Sequence, residues 1–231
     1  MERARDQERR LREELRGVYA SFDAPDRHAW RRAPAVMDGH TLKILGHPVM
    51  EDWERPYMAR LADIATRKGG QVLEVGFGMG ISGGYVNASP SVTRHLIIEA
   101  NHDVAELARG FAADPERRCS VVVLEGLWED VIDQVEDGSC GGILYDAYPL
   151  DESEMTMHLR FAATAYRKLE PGGYFTYYSD EVDGYGPEHL RALVDAGFDE
   201  RNIARETVPV SPPPDCQYWR YGTIMAPILV K

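Results

Sequence analysis

The chain has 231 residues, 44% of them apolar and 28% charged, which suits a soluble globular domain with a sizeable core. Its formal charge of −12 at pH 7 argues against nonspecific nucleic-acid binding, because polyanions repel such a surface, and mildly favours cationic ligands. Cys119, Cys140 and Cys216 stand far apart without a CxxC pair. That pattern predicts neither a disulfide framework nor a zinc site, and the seven histidines form no pair at ligand spacing, so no metal is expected. No apolar leader and no run of about 18 apolar residues is present, which predicts a cytoplasmic protein without a membrane partner.

Residues 1–22 place Leu11, Leu15, Val18 and Tyr19 at helical steps and predict an amphipathic helix. It packs on the domain, closes the site as a lid, or forms a homodimer contact. Residues 23–36, with Pro25 and Pro34, read as a loop, and 23–70 as a segment that precedes and covers the main domain of 71–231. A helix is expected from about Pro56, with Tyr57, Leu61 and Ile64 as its buried stripe.

Short apolar runs at 71–75, 94–100, 120–126, 141–147 and 172–178 then read as buried parallel strands. Helical patterns lie between them near 104–113 and 155–169, the second with Met155, Leu159, Ala162, Tyr166 and Leu169 in phase. Strand–helix alternation of this kind predicts a doubly wound α/β sheet. The ending, RETVPVSPPPDCQYW then YGTIMAPILVK, predicts two strands joined by a Pro-rich turn and therefore paired antiparallel.

Val72-Leu73-Glu74-Val75-Gly76-Phe77-Gly78-Met79-Gly80 is a strand ending in a glycine-rich turn before a helix, where a backbone can approach a ligand closely. About twenty residues on, Glu99 closes the next strand, where a carboxylate accepts the ribose hydroxyls of a nucleoside cofactor. The spacing G-F-G-M-G misses the dinucleotide fingerprint, and Glu74 before the turn would repel a pyrophosphate. Glu74 suits instead the ammonium end of a methionine moiety, met directly or through water. S-adenosylmethionine is therefore the expected cofactor, on a class I methyltransferase Rossmann-like fold whose mostly parallel sheet ends in an antiparallel C-terminal strand. After the third strand, Leu127 or Trp128 is placed to wall an adenine, although Trp128 also suits core packing.

The stretch ILGHPVMEDWERPYM at 44–58, with LEVGFGMG, GLWEDV, GILYDAYPL and PGGYFTYY, closely resembles the guanidinoacetate N-methyltransferase family. Arginine N-methyltransferases share parts of the pattern. The resemblance runs from about Trp30 to Lys231 and leaves out the first 25 residues. It implies that Glu54 and Asp146 are the carboxylates that bind a guanidine. It also implies cofactor contacts from Met50, Met58, Glu74, Val75, Gly76, Phe77, Gly78 and Met79, and from Glu99, Ala100, Asn101, Gly126 and Leu127. Trp30 matches an aromatic that covers cofactor and substrate from the N-terminal side.

Two carboxylates suit this chemistry. A guanidinium is planar, with a pKa above about 12 and delocalised lone pairs, so as it stands it is a poor nucleophile. A carboxylate gripping two of its N–H groups fixes the plane and can take a proton as a C–N bond forms.

One stretch departs from the family. Where the substrate carboxylate of guanidinoacetate meets backbone N–H groups at an uncharged step, this chain has Ser179-Asp180-Glu181-Val182-Asp183. Asp180 and Glu181 would repel that carboxylate and attract an ammonium, unless they point into solvent. The expected substrate is accordingly a small guanidino compound, L-arginine or an arginine-derived metabolite before guanidinoacetate. Rival readings are a protein-arginine methyltransferase, a non-catalytic cofactor-binding protein and an oxygen methyltransferase.

Overall fold

The computed structural model describes residues 26–150 and 157–231. The expected N-terminal helix, residues 23–25 of the expected loop, and Met155 lie outside the described residues.

The rest of the segment expected as a loop is folded. Helix α1 (Arg27–Arg32) starts at Asp26, whose side chain accepts from the His28 N–H, and buries Trp30. Six residues are too short to display a helical period, which is why the sequence reads as a loop there. Strands β1 (Ala35–Met37), β2 (Thr41–Ile44) and β3 (His47–Glu51) follow as a small antiparallel sheet in the order β1-β2-β3. Thr41 to Ile44 alternate about the pleat, with Leu42 and Ile44 buried. A 3-10 turn over Asp52–Glu54 leads into α2 (Arg55–Thr66), with Pro56 in its first turn and Tyr57, Leu61 and Ile64 fully buried, as the spacing predicts.

The main sheet is built from β4 (Gly70–Val75), β5 (Val92–Glu99), β6 (Ser120–Glu125), β7 (Cys140–Tyr145), β8 (Leu169–Tyr177), β9 (Ile203–Pro209) and β10 (Thr223–Val230). Its order is β6-β5-β4-β7-β8-β10-β9, parallel from β6 to β8, with β10 antiparallel to both its neighbours. The five parallel strands stand where the apolar runs put them, and the reversed C-terminal strand is inserted between β8 and β9. Helices α3 (Ile81–Ala88), α4 (His102–Ala113), the short α5 (Trp128–Val131), α6 (Met157–Lys168) and α7 (Pro187–Asp195) lie between the strands.

Alternation along β4 divides the core. Val72 belongs to the apolar cluster on the side of α2, α3 and the small sheet, whereas Leu73 and Val75 belong to the cluster on the side of α6 and α7. In α6 the deepest residues are Phe161, Ala162 and Ala165, with Leu159 and Tyr166 packed at their margin, and Leu169 already begins β8. The carboxyl ends of β4, β5, β6 and β7 open side by side beneath the small sheet. In open α/β sheets that edge is where ligands bind.

Candidate active site

A cleft lies at this edge, lined from both the main sheet and the N-terminal segment. Val75, Gly76 and Gly78 line it from the first turn, Glu99 and Ala100 from the end of β5, Gly126 and Leu127 from the end of β6, and Asp146 from the end of β7. Trp30 and Met50 line it from the N-terminal segment.

Gly76 has φ +88°, and a Cβ there would sit 2.1 Å from the Asp146 carbonyl oxygen, so the turn and the residue after β7 pack with no room between them. At Gly78, φ is +53° and a Cβ would meet Met50 Sδ at 2.9 Å. Met50 Sδ also accepts from the Met79 N–H at 3.3 Å, so the small sheet is tied to the glycine turn. Glu99 accepts from the N–H groups of Phe77 at 2.9 Å and Asn101 at 2.8 Å. Burial pushes its carboxyl above the usual carboxylate range.

Other expected cofactor contacts do not line the cleft. Glu74 is fully buried beneath the turn, bonded by the Ser82 hydroxyl and 2.8 Å from His95 Nε2. The Phe77 ring packs on Phe111 at 5.5 Å, and Met58 is buried on α2. Met79 is half-buried against the same core. Asn101 caps α4 through its side-chain oxygen, while its amide donates to the carbonyls of Trp30 at 2.8 Å and Ala33 at 2.9 Å. Its place is that of a latch on the covering segment.

Glu54 ends the 3-10 turn after β3 with 2% of its surface exposed. Its Oε1 accepts from the Glu51 N–H at 2.8 Å and from the Tyr218 hydroxyl at 2.5 Å. Burial first, and then the negative charge of Asp146, push its carboxyl up to about 8. Asp146 is held by its own N–H on the Val75 carbonyl at 2.8 Å. Among the described residues, none donates a hydrogen bond to its side-chain carboxylate. Burial, reinforced by Glu74, Asp180 and Glu99, pushes that carboxyl up to about 7. The structure thus brings together the two acids named from sequence, 92 positions apart in the numbering, within one another's electrostatic reach.

Asp180 joins this group, since its charge bears on Asp146, Tyr57 and Tyr178. Glu181 does not. Its side chain is buried against His189 Nδ1 at 3.0 Å, and His189 Nε2 lies 2.5 Å from the Tyr177 hydroxyl. The pairing of Asp180 with Glu181 at one subsite is therefore corrected: the Glu181 side chain is taken up by its contact with His189.

The cover is aromatic. Trp30 stacks on Tyr148 at 4.9 Å with ring planes 10° apart, and the Tyr148 hydroxyl lies 3.3 Å from His47 Nδ1. Arg27 pairs with Glu129 at 3.2 Å, both at the edge of the cleft. Of the two tyrosines that flank Asp146, Tyr148 thus belongs to the cover, whereas Tyr145 stacks on Phe161 at 4.6 Å in the far core. Sequence reasoning missed Tyr218 and His47, for which residue type and spacing carried no signal. Trp128 packs on Phe161 at 5.0 Å and also lines the cleft.

The model of the guanidinoacetate N-methyltransferase family matches residues 21–231. Protein arginine N-methyltransferase 2 of Eremothecium gossypii is 35% identical over 138 residues, covering 57% of this chain and 32% of that protein. That of Aspergillus oryzae is 32% identical over 164 residues, covering 65% and 38%. The chain spans about a third of the length of these curated relatives. Among solved structures, spermidine synthase from Thermotoga maritima superposes with a TM-score of 0.62 at 15% identity, covering 85% of this chain and 72% of that one, a likeness of fold alone.

Proposed function

The chain belongs to the guanidinoacetate N-methyltransferase family of S-adenosylmethionine-dependent enzymes, and from that premise we propose that it methylates a guanidino nitrogen of a small molecule, L-arginine or an arginine-derived compound before guanidinoacetate. The observation that carries this reading is Asp146, a half-buried carboxylate at the cleft with no protein donor among the described residues, beside the buried carboxylate of Glu54. Two neighbouring acids, one buried and one half-buried, are costly to ionise together unless a ligand brings a cation. A planar guanidinium supplies the charge and the N–H groups that both require.

The cleft fits S-adenosylmethionine on its own features. Gly76 and Gly78 keep the turn free of Cβ atoms, Glu99 stands where ribose hydroxyls would bond, and Gly126-Leu127 offers an apolar wall for the base. When bound, the cofactor supplies a methyl on a positively charged sulfur. The chain's own residues do the rest. Asp146 and Glu54 orient the guanidinium plane so that one nitrogen faces that methyl, which is the positioning part of catalysis. Asp146, at the cleft, receives the proton that the nitrogen must shed. Trp30 and Tyr148 keep water from the reacting atoms, and residues before about 70 act as the covering segment.

Asp180 supports the preference for an arginine-like substrate. A third acid close to Asp146 favours a second positive group, such as an α-ammonium, and opposes the free carboxylate of guanidinoacetate. The relatives named as protein arginine N-methyltransferases raise a peptide-borne arginine as a second reading. Against it stands the depth of Glu54, with 2% of its surface exposed. A methyl-transfer panel read by mass, with guanidinoacetate, L-arginine, other guanidino acids and an arginine peptide, tests the choice. Methylation of free arginine above the others is the expected outcome, and faster methylation of the peptide or of guanidinoacetate overturns it.

A further inference from the structure

Glu54 and Asp146 are equipped differently, the first buried and the second half-buried at the cleft. Two donors, the Glu51 N–H and the Tyr218 hydroxyl, land on the same oxygen, Glu54 Oε1. A carboxylate oxygen has two lone pairs, so Oε1 is saturated by protein. The other oxygen, Oε2, is left for a ligand. At Asp146 neither oxygen is served by a described donor. Tyr218 comes from the loop before β10, 164 residues along the chain, and is set by its ring against Trp53 at 5.8 Å. Trp53 in turn donates to Glu51 Oε2 at 2.7 Å, so the turn bearing Glu54 and the loop bearing Tyr218 brace each other.

We propose that Tyr218 is a positioning residue of the acceptor site: by filling Glu54 Oε1 it leaves Glu54 a one-oxygen contact through Oε2 and reserves the two-oxygen grip on the guanidinium for Asp146. This deepens the guanidino reading above and rests on it. An acceptor held by a fork on one side and a single bond on the other has one defined orientation, whereas two equivalent forks would permit the plane to be turned over. Tyr218 thus decides which nitrogen is presented.

The groups facing Glu54 are Glu51 from β3, Asp146 after β7, Tyr178 after β8, and Cys216 and Tyr218 from the loop before β10. Only Tyr218 and the Glu51 N–H favour its ionised form. Tyr218→Phe removes one of these donors and keeps the ring. The test is a carbon-13 titration of labelled glutamate side chains, run beside the pH profile of kcat/KM for the preferred guanidine. In Tyr218→Phe, Glu54 should titrate about one pH unit higher and the acidic limb of the profile should move with it. Affinity for S-adenosylmethionine should be unchanged, because Tyr218 does not line the cleft. If Tyr218→Phe melts too low to assay, 3-fluorotyrosine at position 218, a stronger donor of nearly the same shape, should move both readouts downward. Unmoved Glu54 titration in a folded variant overturns the proposal. Wild-type protein that methylates no guanidine sinks the functional reading instead, while the titration still reports on Tyr218.

Discussion

The side-chain amide of Asn101 holds the carbonyl oxygen of Trp30 at 2.8 Å, which joins the end of β5 to the helix that roofs the cleft. The same side chain caps α4 through its oxygen. One residue therefore ties the cofactor end of the sheet to the cover. Asn101→Ala should lower stability by about 1–2 kcal/mol through loss of the cap and of buried bonds. It should also weaken S-adenosylmethionine binding several-fold, because Trp30 loses its anchor. Calorimetric titration of the cofactor checks this, and unchanged affinity in a folded variant would show that Trp30 needs no latch.

Asp146→Asn keeps the shape of the side chain and removes its charge and its capacity to take a proton. Turnover should fall by about 10²-fold or more, with melting temperature held or raised. Radiolabel transfer from the cofactor measures it; near-normal turnover would remove Asp146 from the reaction.

Glu54→Gln has a directional consequence. Both protein donors require an oxygen at the Oε1 position, so the amide is set with its NH2 where Oε2 stood. A donor then faces a donor on the guanidinium. KM for the acceptor should rise more than tenfold, while cofactor affinity stays the same. A variant that binds the acceptor normally would place the guanidinium elsewhere.

The ligand-free protein should lose stability as pH rises from about 5 to about 8. Glu54 and Asp146 have folded pKa values raised to about 8 and about 7, so the folded chain holds protons that the unfolded chain has released. Their contribution is fully present below the unfolded carboxylate pKa and is lost as pH passes the folded values. The loss is on the order of a few kcal/mol. Denaturant melts at several pH values should show this slope flattened in Asp146→Asn, and an equal slope in both proteins contradicts it.

Asp180→Asn separates substrates by charge. KM for L-arginine should rise several-fold, and guanidinoacetate should become a relatively better acceptor. Parallel kinetics on the two compounds decide, and no change in their ratio would make Asp180 a bystander.

The sheet was legible because strands buried on both faces are written as continuous apolar runs, and the glycine turn because G-F-G-M-G leaves few alternatives. The 23–36 segment was not, since a six-residue helix and a three-residue strand show no period. Glu54 and Asp146 entered through resemblance to a family, and the fold then brought them together. The side-chain contacts of Asn101 and Glu181 were not legible, for a common reason. Residues beside a ligand-facing position share its neighbourhood in sequence, yet their side chains point into the latch and into the His189 contact. Tyr218 could not be found by spacing at all, because its partner lies in a different element far along the chain.

A crystal structure with S-adenosylhomocysteine and the preferred guanidino acceptor tests the two-carboxylate grip most directly. Both Asp146 oxygens should lie within hydrogen-bond distance of two guanidino nitrogens, with Glu54 Oε2 on a further N–H and Oε1 still bound to Tyr218. A guanidino group that touches neither carboxylate would contradict the account.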